Sequence, residues 1–294
     1  MKKISLLFLS LFILTMVNCK KDNNDNNDED TNQKKPVPVT ITTTSSASRP
    51  ASDLKPLLSF KRFIQASKSS QSTSTQNFTY DGRSITKVTT TSGSDITVEN
   101  YYYKDMNKGL LDSIVRTLNG QFNGKTVYEI SNDHITAIRF YDDSNMMNMQ
   151  MTFSNYDSNG HPANIGYLYI STNGNIDMTG TITYSNDNVQ ALNLSGQYMG
   201  YNLTLTEQYT YDSKNIVYLN VETQLSPLFA KNNVTRLESN VEMNGSSLSQ
   251  SSSIYTYTYD NNDYPISSDI TMISSQNGTT TTDNSSQEFV YEDK

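Results

Sequence analysis

Few side chains in this 294-residue sequence could do chemistry, and they are scattered. It has two histidines, His134 and His161, one cysteine, Cys19, and no tryptophan. A protein zinc site needs several nitrogen, sulfur or carboxylate ligands converging on the ion, and no H-x-x-x-H pair or second cysteine is present. Serines are plentiful, but none stands in a G-x-S-x-G elbow or an S-x-x-K pair. Asp81, Asp157, Asp212 and Asp260 could in principle supply the two carboxylates that cleave a glycosidic bond. Each, however, follows a tyrosine and precedes turn-forming residues, where a carboxylate caps its own backbone. These residue types predict no enzyme, no catalytic residue, no metal and no cofactor. The net charge is -8 without a Lys/Arg cluster in the folded part, which speaks against a nucleic-acid partner because phosphates need cations.

The residue that does recur is tyrosine, present 20 times. Ile254 to Ile270 shows why: Tyr255, Tyr257 and Tyr259 alternate with threonine, which places three rings on one face of a strand. Asp260 to Asp263 then turns, and Tyr264 and Pro265 begin the return. Tyr255, Tyr257, Tyr259 and Tyr264 are therefore the candidate aromatics of a binding face, with the alternative that this face is simply core. Copies of the unit follow Phe78, Phe153, Ile182 and Tyr209, with degenerate ones around Tyr101, Val127 and Phe289. A period of this size marks a repeated structural unit, and two strands with two turns fill it.

The elements that must position these residues follow from the alternation. Met147, Met149, Met151 and Phe153, then Ile165, Tyr167 and Tyr169, then Ile176, Met178, Ile182 and Tyr184, then Leu203, Leu205, Tyr209 and Tyr211 all recur with period two. Val217, Leu219, Val221 and Leu225 continue the pattern after a turn at Asp212 to Asn215. The expected fold is all-β: a long antiparallel meander of hairpin repeats with one apolar face, curling into a half-barrel-like sheet. A closed barrel is the nearest alternative. One long step between repeats contains Pro227, an apolar patch from Leu225 to Phe229 and the serine run Ser246 to Ser253, which fits either a degenerate repeat or a crossing loop.

The N-terminus reads as an address. Lys2 and Lys3 precede an apolar run from Ile4 to Val17, too short to favour a membrane span and suited to an export signal. The run ends at Met16-Val17-Asn18-Cys19, which resembles the lipobox of bacterial lipoproteins, with Met16 where leucine is usual and Asn18 where a small residue is usual. That resemblance implies cleavage after residue 18 and lipidation of Cys19. Lys20 to Asp30 resembles the acidic tether that sends Bacteroidetes lipoproteins to the outer face of the outer membrane. The expected organisation is a signal peptide over 1–18, a disordered acidic and then Ser/Thr-rich tether over 19–75, and a β-repeat domain over 76–294. Leu54, Leu57, Leu58 and Ile64 fall on one helical stripe and predict one short helix within the tether.

The C-terminal unit Tyr255, Tyr257, Tyr259, Asp260, Tyr264 and Pro265 resembles the Y-x-Y-x-Y-D-x-x-x-Y-P motif of the tyrosine-aspartate (YD) repeat lipoproteins of Bacteroidetes. A looser similarity is to Rhs-type YD repeats. The resemblance implies a lipid-anchored outer-membrane protein at the cell surface and carries no activity with it. Asp112-Ser113-Ile114 resembles the Bacteroidetes O-glycosylation pattern and marks Ser113 as a candidate acceptor; a strand starting after a turn gives the same tripeptide. Two functions remain: a non-catalytic surface or structural module, monomeric, that binds a glycan or a protein, and a carrier of an apolar ligand such as a lipid in a half-barrel cavity.

Overall fold

Apolar residues at every second position, separated by Thr, Ser, Asn and Gln, can be satisfied only by strands with one dry face and one wet face. The computed structural model describes residues 35–46 and 72–293, except 173, 219, 220, 226, 227, 229 and 277. These residues form sixteen strands and no helix: β1 (Pro36–Ser46), β2 (Ser72–Asp81), β3 (Ser84–Ser92), β4 (Asp95–Asp105), β5 (Leu110–Leu118), β6 (Gln121–Ser131), β7 (His134–Tyr141) and β8 (Met147–Tyr156), then β9 (Pro162–Tyr169), β10 (Ile176–Ser185), β11 (Asn188–Tyr198), β12 (Tyr201–Asn215), β13 (Asn232–Met243), β14 (Ser246–Tyr259), β15 (Pro265–Gln276) and β16 (Thr279–Asp293). Each strand pairs antiparallel with its sequence neighbours, and β1 also pairs with β16, so the meander closes into a barrel. Two-residue turns with both residues at positive φ, such as Asn132-Asp133 and Asn186-Asp187, match the right-handed twist of the strands they join.

The all-β meander holds, but two expectations need correction. The sheet is a closed barrel and not a half-barrel, because a strand was hidden in what reads as a linker. Pro36 to Ser46 is rich in Pro, Thr and Ser, yet Val37, Ile41, Thr43 and Ser45 are buried while Thr40, Thr42 and Thr44 alternate with them. Pro38 is tolerated because the register slips there, between Pro38 and Thr40. The expected boundary at residue 76 is therefore misplaced, since β1 belongs to the barrel. The helix expected near Leu57 lies outside the described residues.

The second correction concerns the long step. Val217 and Val221 do not form a returning strand; the described residues between β12 and β13 lie off the wall, at one mouth of the barrel. Leu219 lies outside the described residues. The serine run after it is the first half of β14.

A side chain buried by the wall of a closed single-chain barrel must point inward. Met149, Met151, Met178, Leu192, Leu203 and Leu205 do so, each under 2% exposed. Their neighbours Thr152, Ser154, Thr179, Thr181, Asn193, Ser195, Thr206 and Gln208 face solvent. A round sixteen-strand barrel leaves a water channel, whereas the inner wall from β5 to β13 is packed into one apolar cluster. Strands β10 and β11 approach closely at Gly180 and Gly196: a methyl group on the first would lie 1.7 Å from the Asn193 carbonyl oxygen and on the second 1.9 Å from that of Asp177. Only glycine permits so close a passage.

Candidate functional site

The tyrosine repeat has a structural meaning. At the mouth that holds 216–231, tyrosines near the ends of even-numbered strands turn inward and donate to a carbonyl near the start of the preceding strand. Tyr80 reaches Pro38 at 2.6 Å, Tyr103 reaches Ile85 at 2.7 Å, Tyr211 reaches Val189 at 2.7 Å, Tyr257 reaches Val234 at 3.1 Å and Tyr291 reaches Pro265 at 2.9 Å, and Tyr156 does the same to Ile135. Burial raises the pKa of each of these phenols, to about 12 at Tyr103, so they stay protonated donors. The aspartates that follow cap turns: Asp157 Oδ1 accepts from the amides of Asn159 and His161, and Asp260 Oδ1 from those of Asn262 and Tyr264. Asp212 Oδ1 accepts from the amides of Lys214 and Asn233 and so ties the two roots of 216–231. His134 and His161 do not converge; each stacks on the tyrosine of the next strand, Tyr156 at 4.4 Å and Tyr184 at 4.5 Å.

Segment 216–231 plugs that mouth. Val217, Val221, Leu228 and Ala230 are buried, and Tyr218 packs edge-on against Phe78 at 6.1 Å. The tip is pinned on the opposite wall: Arg83 pairs with Glu222, the Ile85 amide donates to Thr223 Oγ1 at 2.8 Å, and the Gln224 amide donates to the Gly109 carbonyl at 2.8 Å. Tyr128 adds a bond to the Leu225 carbonyl at 3.2 Å. A segment fixed at its root and at its tip is a fixed part of the core.

Within the inner wall, polar residues collect on one side. Ser239, Ser249, Ser253, Ser268 and Ser274 are buried on β13 to β15, and Ser268, Gln287 and Thr43 form a hydroxyl and amide chain across β15, β16 and β1 with 3.3 Å steps. Glu207 stands where the apolar and serine walls meet. It is fully buried, accepts from Tyr209 through Oε2 at 2.5 Å, and its Oε1 has no hydrogen-bond partner among the described residues. Burial lifts its pKa from 4.5 to about 8, so the carboxyl is mostly protonated at neutral pH. Its place in the inner row was legible in Leu203, Leu205, Glu207, Tyr209, although the sequence reading passed over it.

The outer wall carries a groove of about 510 Å³ across β12 to β16, lined by Thr206, Gln208, Asn240, Gln250, Ser252 and Ile273 among others. These side chains alternate with the buried serines of the same strands, and the sequence signal that could have found the groove was that serine run.

The candidate aromatics fall on the inside. Tyr255 stacks on Tyr257 at 6.4 Å, Tyr259 lies tilted against Tyr257 at 6.0 Å and donates to Asp212, and Tyr264 packs against Tyr291 at 5.6 Å. They build the interior and offer no outer platform. Ser113 sits within paired β5, half-buried, and donates to Asp112 at 3.1 Å. Cys19 lies outside the described residues.

No family model and no curated protein matches the chain. Among solved structures it is similar to a porin-like protein from Bacteroides uniformis, at 17% identity and a TM-score of 0.49, over 87% of this chain and 96% of that one. A porin-like protein from Bacteroides vulgatus is similar at 10% identity and a TM-score of 0.48, over 88% of this chain and 99% of that one.

Proposed function

We propose that the protein is a non-catalytic envelope lipoprotein, anchored in the outer membrane through Cys19 and working through its outer wall at the cell surface. The observation that carries this reading is the polarity of the barrel. A barrel that spans a bilayer turns an apolar band outward and keeps polar groups within, whereas here Thr, Ser, Asn and Gln dominate the outer face and the inner face from β5 to β13 is built of Met, Leu, Ile and Tyr. The address rests on the sequence: an apolar run ending at the sole cysteine, followed by an acidic stretch. Labelling with a palmitate analogue tests the anchor; the label is expected on the wild-type chain and absent from Cys19→Ala. Label retained in Cys19→Ala would refute the anchor, and protease treatment of intact cells is expected to cut the protein. A channel or an integral barrel is tested by solubility: a Cys19→Ser protein without residues 1–18 is expected to stay monomeric in detergent-free buffer.

The carrier of an apolar ligand is the weaker reading. Its support would be the one-sided apolar wall, but that wall is packed from β5 to β13 and 216–231 fills the adjoining mouth. Native mass spectrometry of protein from its own host is expected to find it bare, and a co-purifying lipid would reverse this preference.

A further inference from the structure

We infer that the outer groove across β12 to β16 is a binding site for a neutral, hydroxyl-rich glycan; this deepens, and rests on, the reading of a module that works through its outer wall.

Shape comes first. The outer wall of a barrel is convex, so a concavity needs a cause. The inward positions behind this one are serines: Ser239 on β13, Ser249 and Ser253 on β14 and Ser274 on β15 are all buried. With short side chains behind β13 to β15, the outside of this stretch holds a groove of about 510 Å³. That lies within the roughly 300–1,000 Å³ range of small-ligand sites.

Chemistry selects the ligand. The register places Gln208 beside Glu238, Glu238 beside Ser252 and Ser252 beside Ile273, with Thr206, Asn240, Gln250 and Ser275 as the parallel row. Amides and hydroxyls both donate and accept, which suits a ligand whose own hydroxyls do both. The Gln208 and Gln250 side chains are exposed on this outer face. Ser252 Oγ, behind this surface, is shielded from solvent and has no hydrogen-bond partner among the described residues. Ile273, 39% exposed, gives an apolar spot for the C–H face of a sugar ring.

Charge and topology exclude the competitors. The lining contains no Lys or Arg, and its one carboxylate, Glu238, is already paired with Arg236 at 2.6 Å. A sulfated, phosphorylated or uronic ligand would therefore find beside the groove only Arg236, already neutralised by Glu238, on a chain of net charge -8. An extended peptide binds a sheet by adding to a free edge, and each strand here is paired on both sides.

The test is an array of neutral oligosaccharides (glucans, mannans, xylans and galactans) beside sulfated and uronic ones, probed with the mature protein and followed by titration of the best binder. Binding to a neutral glycan is expected, weakened about tenfold in Gln208→Ala and in Gln250→Ala as hydrogen bonds are lost, and unchanged in Gln190→Ala on the outer face of β11. These exposed positions leave the core alone, and unchanged circular dichroism would confirm folding. An array without a neutral binder, preference for the anionic sugars, or equal affinity in all three variants would overturn the inference. Because Cys19 labelling and detergent-free solubility do not involve the groove, a blank array with a labelled, soluble protein would remove the glycan site and leave the envelope reading standing.

Discussion

At position 207 the inward row of β12 sets a carboxyl between Leu205 and Tyr209, opposite Ser239 of β13 and Leu192 of β11. Burial favours the neutral acid, which is why its pKa moves from 4.5 to about 8. The consequence has a definite sign. Between those values the unfolded chain has lost the proton while the folded protein keeps it, so stability falls as pH rises, by about 1.4 kcal/mol per unit at most, and levels off above the folded pKa. Glu207→Gln keeps the shape and removes the titration. Urea unfolding from pH 5 to 9 is therefore expected to show wild type losing stability with pH and the Gln variant holding it; parallel curves would refute the protonated state. Alternation alone puts residue 207 on the inside. Its charge state was not readable, because that depends on what the opposite wall brings against it.

At the scale of elements, local rules read well where chemistry is local and poorly where only apolarity was available. The turns at Asp157 and Asp260 could be read from the sequence because an aspartate before Asn or Ser residues caps its own backbone. Segment 216–231 could not, since a buried strand and a buried loop require the same apolar content, and Val217 and Val221 satisfied both. What distinguishes them is a partner far away in the chain. Gly109, in the β4–β5 turn at φ 67°, passes so near the plug that a Cβ would lie 1.6 Å from the Glu222 carbonyl oxygen. Gly109→Ala is expected to push the plug off its seat and cost roughly 2 kcal/mol or more. Gly120→Ala is the control: φ is 80° there as well, but nothing lies within 4 Å, so only the backbone penalty of about 1 kcal/mol applies. Thermal melts of the two variants check this; equal losses would mean that the plug does not depend on the close approach.

The whole molecule turns on closure. A meander of fifteen strands with β2 and β16 at its ends would expose two unpaired edges, each a template for association. β1 removes both, because Thr42 pairs with Thr75 on one side and with Glu288 on the other. The sequence concealed this strand: eleven residues of Pro, Val, Ile, Thr and Ser resemble a linker in composition, and the strand is betrayed only by apolar or small residues at alternate positions. Its partners are the last strand of the chain and one that begins at Ser72, so no local signal could reveal the pairing. The closed barrel and the linker predict opposite kinetics for the same amides. If β1 is part of the wall, the amides from Thr40 to Ser45 exchange with solvent only through sub-global or global opening, with protection comparable to that of central β14. If they belong to a tether, they exchange at the unprotected rate. Hydrogen exchange followed by peptide mass spectrometry separates the two. The expected result is slow exchange over Pro36 to Ser46; deletion of those residues is then expected to free the edges of β2 and β16 and turn a monomer into an associating species on size-exclusion chromatography.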